Sequence, residues 1–251
     1  MIDDVLLPNQ SLREARRGIF SVLSPEVEEA TYDARADRYD QLVGSEWYNR
    51  VMWGVSTETY HGFVQQALDA GEDLLLDAGA GSAVFTADAY RQTSRPLMLV
   101  DRSVDMLQAA RDRIVKQAGG KSPDTITFLQ ADATALPLRS ESVGTVLSMS
   151  LFHVIEDLTT CAEELFRVLE SEGTLFATSL VTERAVGRHY LRLLHKIGEM
   201  ATPRAQDELR KCLESALDQS IDLRPEGNMA FLKSKKDPHL HKGGVVRKKV
   251  K

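Results

Sequence analysis

Cysteine is scarce: Cys161 and Cys212 are the only two in 251 residues. Their separation supports neither a disulfide framework nor a zinc site, so both are expected to be ordinary thiols of core or surface. Long apolar runs are missing too. No stretch approaches the roughly 20 apolar residues of a membrane span, and the opening MIDDVLLPNQ is acidic, with too short an apolar run for a secretory signal. A cytoplasmic chain with no membrane partner is the expectation. The body also lacks a basic balance. From Lys233 onward, eight Lys or Arg face the single Asp237, which leaves the first 232 residues at −13 within a total of −6. Such a body is not built to hold nucleic acid. The tail KSKKDPHLHKGGVVRKKVK has Pro238, two glycines and neither a helical nor a strand period. It reads as a solvated terminus, with a basic contact to RNA, membrane or an acidic partner as the alternative. His239 and His241 within it read as incidental, and no metal site is expected.

What is present supports one large α/β unit with a modest cap, because 43% hydrophobic residues can fill a sizeable core. Five short apolar runs, DLLLDA (73–78), RPLMLVD (95–101), DTITFLQAD (124–132), VGTVLSMS (143–150) and GTLFATSLV (173–181), are bounded by polar residues or glycine. Runs of that length and composition predict strands buried on both faces. Amphipathic stretches at 103–117 and 157–169 predict helices between them. The alternation predicts a doubly wound, mostly parallel, seven-stranded sheet. Residues 11–70 read as helical with breaks at Pro25 and Gly54, and 183–219 as a helical insertion after the fifth strand, interrupted at Pro203. SIDLRP and NMAFLKS, joined at Glu226 and Gly227, predict a closing antiparallel hairpin. The expected division is an N-terminal helical cap (1–70), the α/β domain (71–236) and the basic tail (237–251).

The stretch LLLDAGAGSAVFTADAY (74–90) runs from a strand through a glycine-rich turn into a helix-like segment. In an open α/β sheet the first strand-to-helix turn is the usual ligand site, so Gly79 and Gly81 point at a nucleotide-like ligand. Position 84 is Val84, not the third glycine of a dinucleotide fingerprint, and no Gly-Lys-Ser/Thr follows to cradle phosphates. The carboxylate of Asp77 would repel a phosphate and welcome an ammonium or sulfonium. Asp101 ends the second strand, where a carboxylate accepts from both hydroxyls of a ribose. Asp132 ends the third, placed to accept from an exocyclic amine while the Ala133 N–H donates to a ring nitrogen, a pair that would read adenine. Each residue also has a structural alternative. The glycines could serve only a tight turn, Asp77 could pair with a cation, and Asp101 and Asp132 could be neighbours of helix N-caps.

LLLDAGAGS, LVDRSVDMLQAAR, LQADATALPL and SLFHVIEDLTTCAEELFRVLESEGTLFATSL, in this order over residues 32–182, make the chain resemble the class I S-adenosylmethionine-dependent methyltransferases, in particular the small-molecule branch called type 11. That resemblance implies a Rossmann-like methyltransferase fold, S-adenosylmethionine as cofactor and a small-molecule methyl acceptor. It implies that Asp77, Gly79 and Gly81 border the methionine moiety, that Asp101 holds the ribose, and that Arg102 and Met106 flank adenine. Asp132 and Ala133 would read the adenine edge, and the backbone at Met149 and Ser150 would lie under the methionine amino group. In YDARADRYD, Tyr39 would close over the cofactor or pack the cap. His153, just past the fourth strand, would be a general base or a structural residue; His61, His189, Tyr190 and His195 lie on cap-like helices as candidate pocket residues.

Two motifs depart from the family's pattern. Val143-Gly144 replaces the usual Phe-Asp at the start of the fourth strand, and ESEGT replaces the Lys-Pro-Gly-Gly turn before the fifth, retaining Gly173. No acceptor-specific motif follows residue 182, and oligomeric state is left open. Two alternatives share part of the signal: a non-catalytic S-adenosylmethionine-binding sensor or assembly protein, and an NAD-dependent oxidoreductase, which Val84 and Asp132 disfavour.

Overall fold

The computed structural model describes residues 2–8, 10–24, 43–121 and 123–239. Among the described residues nine strands form one sheet: β1 (Arg13–Arg16), β2 (Ile19–Ser21), β3 (Leu75–Ala78), β4 (Leu97–Asp101), β5 (Ile126–Gln130), β6 (Val143–Ser148), β7 (Leu169–Leu180), β8 (Asp222–Glu226) and β9 (Met229–Lys235). Their order is β1-β2-β5-β4-β3-β6-β7-β9-β8. Pairing is parallel from β2 across to β7 and antiparallel for β1, β9 and β8. The seven expected strands are β3 to β9.

Strands β1 and β2 correct the reading of residues 11–70 as helical. The Arg17-Gly18 turn closes on a left-handed Gly18 (φ 74°), and Ile19 and Ser21 point inward at 0% exposure while pairing alongside Phe128 and Gln130 of β5. A three-residue strand has too short an alternation to be told from a helix; here tertiary pairing decides. Tyr39 and the segment 32–40 lie outside the described residues, as does the tail beyond His239.

Five longer helices cover the sheet: α1 (Thr57–Leu68), α2 (Val104–Gln117), α3 (Leu158–Val168), α4 (Ala185–Lys196) and α5 (Gln206–Leu217). Ser56, Ser103 and Asp157 cap the first three by accepting from the N–H groups of Thr59, Met106 and Thr160. Alternate strand residues feed two cores, as a doubly covered parallel sheet requires. Leu76, Met98, Val100 and Leu129 meet Leu158, Cys161 and Leu165 of α3 and Leu209, Leu213 and Leu217 of α5. Leu75, Leu97, Leu99 and Phe128 meet Tyr60, Phe63 and Val64 of α1 and Leu107, Ala110 and Ile114 of α2.

The insertion after β7 is helical as expected, α4 and α5 flanking the break around Pro203. The hairpin turns one residue later than expected, at Gly227 and Asn228. Its backbone presses on the cap: Asn228 N–H donates to the Trp53 carbonyl at 2.7 Å, and a Cβ on Gly227 would sit 1.9 Å from that oxygen. Only glycine fits there.

Candidate active site

The sheet order reverses between β3 and β6: β4 and β5 lie to one side, β7 to the other. Loops leaving the carboxyl ends of β3 and β6 diverge there and open a crevice. A cavity of about 480 Å³ lies among the loops that follow β3, β4, β5 and β6, lined by Gly79, Val100, Asp101, Arg102, Ala131, Asp132, Ala133, Thr134, Leu151 and residues Val154 to Asp157. Five expected cofactor residues, Gly79, Asp101, Arg102, Asp132 and Ala133, therefore meet in one place although they come from three separate strand ends. A second cavity of about 280 Å³, between α1 and the β8–β9 hairpin, shares no lining residue with it.

The glycine loop is tied to the end of β4. Gly79 and Ala80 N–H both donate to the Val100 carbonyl (2.8 and 3.0 Å), and Gly81 N–H donates to Asp101 Oδ2 (2.8 Å). Both glycines are left-handed, with φ of 74° and 53°. A Cβ on Gly79 would lie 2.8 Å from Leu151 Cδ1, whereas one on Gly81 would meet nothing within 4 Å. The loop does not lead straight into a long helix: the helical turn after it spans only Ala87–Tyr90. No long helix therefore starts at the glycine turn itself; the helices that begin beside the cavity are α2 and α3, capped by Ser103 and Asp157.

Both carboxylate oxygens of Asp101 are already hydrogen-bonded. Its Oδ1 accepts from Ser103 N–H at 2.9 Å while Oδ2 holds Gly81. Burial raises its pKa, and the N–H groups of Ser103, Gly81 and Arg102 oppose that rise. Asp132 Oδ1 accepts from both N–H and hydroxyl of Thr134 (2.9 and 2.7 Å), and Oδ2 has no hydrogen-bond partner among the described residues. So Asp132 is part turn-former, part open acceptor.

Asp77 does not line the cavity. It is 1% exposed, its Oδ2 accepts from the Tyr90 hydroxyl at 2.8 Å, and its Oδ1 is buried without a partner. Burial pushes its pKa up to about 7; the Tyr90 hydrogen bond opposes the rise and the charge of Asp101 adds to it. An orphaned carboxylate oxygen behind an acidic crevice suits a cationic ligand group. Nothing in sequence spacing marked Tyr90 as its partner.

Ser103 caps α2 and Met106 sits on its first turn, its N–H donating to Ser103 Oγ. Ser150 is left-handed (φ 64°) and its N–H donates to Thr178 Oγ1 at 2.9 Å, beside the Met149 sulfur. Neither pair lines the described cavity. His153 Nδ1 accepts from Leu180 N–H at 3.1 Å, and burial lowers its pKa to about 4. A neutral imidazole that accepts at Nδ1 carries its hydrogen on Nε2, so no lone pair is left for a general base. The histidine ties the loop after β6 to the end of β7.

Leu151, Val154 and Ile155 form an apolar wall that sequence reasoning did not single out. They stand in the same SLFHVIED run as His153, and the apolar spacing after the fourth strand was the available signal.

Residues 76–177 match the family model described as a methyltransferase domain. The chain is 30% identical over 149 residues to the ubiquinone/menaquinone biosynthesis C-methyltransferase UbiE of Syntrophotalea carbinolica, which covers 57% of each chain. It is 29% identical over 114 residues to an uncharacterized Mycobacterium bovis protein, covering 45% of this chain and 39% of that one. The chain thus spans about half the length of the curated relatives it matches. Among solved structures, a SAM-dependent methyltransferase of Thermotoga maritima superposes with a TM-score of 0.56 at 17% identity, covering 79% of this chain and 98% of that one. Geranyl diphosphate methyltransferase in complex with GPP and sinefungin does so at 0.55 and 12%, covering 72% and 78%. Motif order, strand order and these likenesses agree: residues 76–177 match a methyltransferase domain, and the fold is that of the Rossmann-like methyltransferases.

Proposed function

We propose that the crevice binds S-adenosylmethionine and that the protein transfers its methyl group to a small-molecule acceptor. One observation carries this reading: Gly79, Asp101, Arg102, Asp132 and Ala133, singled out on separate motifs, line a single cavity at the carboxyl ends of the strands. The residues fit the cofactor chemically. The lining acids Asp101, Asp132, Glu156 and Asp157 outnumber Arg102, and Asp77 behind them has an unpartnered oxygen, an environment that favours a cationic ligand over a phosphate. Leu151, Val154, Ile155, Ala131 and Ala133 supply apolar surface for a flat ring.

In this reading Asp101 holds the ribose hydroxyls, the open Oδ2 of Asp132 and the Ala133 N–H read the adenine edge, and Arg102 and Met106 flank the base. Asp77, Gly79, Gly81, Met149 and Ser150 are assigned to the methionine end. Bound S-adenosylmethionine supplies an activated methyl on a sulfonium. The chain's own residues orient the two reactants and exclude water, which is the main catalytic need of such a transfer. His153 holds its loop and takes no proton from the acceptor. The matched relative is named a C-methyltransferase, which makes carbon nucleophiles the first acceptors to test.

Calorimetry with S-adenosylmethionine, S-adenosylhomocysteine and NAD tests the cofactor, and a panel of small-molecule acceptors with S-adenosylhomocysteine release as readout tests the reaction. Binding of the first two with micromolar affinity and turnover on one acceptor are expected. An NAD response without an S-adenosylmethionine response overturns the cofactor reading; binding without turnover on any acceptor favours the sensor.

A further inference from the structure

Helix α4 turns Gly187, Tyr190, Leu191 and Leu194 toward the protein, the spacing of one helical face. The Tyr190 ring lies 5.8 Å from the buried ring of Trp53. Its opposite face is not simply polar. Leu193 is 54% exposed and Ile197, one turn on, is 59% exposed, with Arg192, His195 and Lys196 exposed around them. Helix α4 itself holds three Arg or Lys and no Asp or Glu: Arg188 donates to the Thr182 and Glu183 carbonyls, while Arg192 and Lys196 stand on the exposed face, with exposed Glu183 and Glu199 just beyond the helix ends. The segment packed beside α4 through Trp53 repeats the pattern. Trp47 is 69% exposed and Val51 47%, with Arg50 exposed between them in sequence and paired with Glu46.

Charge selects what can cover this face. A second copy would set Arg192 and Lys196 against their own counterparts with no acid on either helix. A nucleic acid would use the cations and leave Leu193 and Ile197 in water. An anionic bilayer uses both, because aliphatic side chains enter the boundary between headgroups and acyl chains while Arg and Lys stay at headgroup level. No helix among the described residues is long and apolar enough to cross a membrane, so any such contact is peripheral.

We infer that the exposed face of α4, from Arg192 to Ile197, docks the protein on anionic phospholipid membranes. The inference goes beyond the methyl-transfer reading and needs neither cofactor nor turnover. It departs from the expected absence of a membrane partner, which follows from the lack of a spanning segment. Which side of a short helix the core leaves uncovered is not written in its length or composition.

Co-sedimentation of the full chain with phosphatidylcholine vesicles, with and without phosphatidylserine, tests it. Binding is expected only with phosphatidylserine and is weakened by added salt. Leu193→Gln with Ile197→Gln should lower partitioning about tenfold or more, and Arg192→Gln with Lys196→Gln by a similar factor. The melting temperature should hold, since all four side chains are exposed. The cationic C-terminal tail cannot imitate this result, because binding through the tail alone ignores the aliphatic pair. Three outcomes overturn the inference: no binding to anionic vesicles, equal partitioning of the parent and the Leu193/Ile197 variant, or a dimer in sedimentation velocity that the same variant abolishes.

Discussion

Asp77→Asn isolates the cost of a buried carboxylate. In the native protein the group ionises near pH 7, against an ordinary value of 3.8. A folded-state pKa raised above the unfolded one means that stability is fully present below the unfolded value and is lost as pH rises through the folded value. The apo protein should therefore weaken between about pH 4 and pH 7, and roughly three units at about 1.4 kcal/mol each set the loss near 4 kcal/mol. Asparagine does not ionise, can still accept from Tyr90, and leaves an amide N–H unpaired at about 1–3 kcal/mol. Parent and variant should have similar stability near pH 5, and the variant should gain nearly 3 kcal/mol on the parent between pH 5 and pH 8. Denaturant unfolding of the apo protein across that range is the assay. Cofactor affinity should move the other way, since the variant has no charge to offer an ammonium. Stability curves that stay parallel across the range would refute the assignment of a strained, partly protonated Asp77.

Asp101→Ala removes the acceptor of both Gly81 and Ser103 N–H groups; it should lower apo stability by roughly 2 kcal/mol and cofactor affinity by about a hundredfold, read by thermal melts and calorimetry, and an affinity within a few-fold of the parent would remove Asp101 from the ribose. Gly79→Ala places a methyl 2.8 Å from Leu151 Cδ1 at a left-handed φ; a loss of about 1 kcal/mol or more is expected, together with weaker cofactor binding because Leu151 lines the cavity. His153→Asn keeps an acceptor near the Nδ1 position; kcat should stay within a few-fold and its pH profile should keep its shape, whereas a hundredfold loss would restore His153 as a base.

The sheet's central strands were legible because Leu, Val and Ile runs buried on both faces cannot be placed elsewhere, and glycine and aspartate at their carboxyl ends repeat at strand-end positions. That local chemistry also placed Asp101, Asp132 and the glycine turn at one crevice. The sequence by itself determined the α/β alternation, the order of the motifs and the acidic character of the site. Tertiary structure decided the rest. The β1–β2 extension exists because β5 offers an open edge to residues too few to declare a period. The Asp77–Tyr90 pair depends on how the glycine loop folds back over β3, and the orphaned Oδ1 that raises the pKa of Asp77 is a property of burial. His153 became an acceptor for Leu180 because β7 runs beside it. Leu193 and Ile197 were left in solvent because packing against Trp53 uses only one side of α4, and which side a helix turns inward is fixed by its neighbours in space.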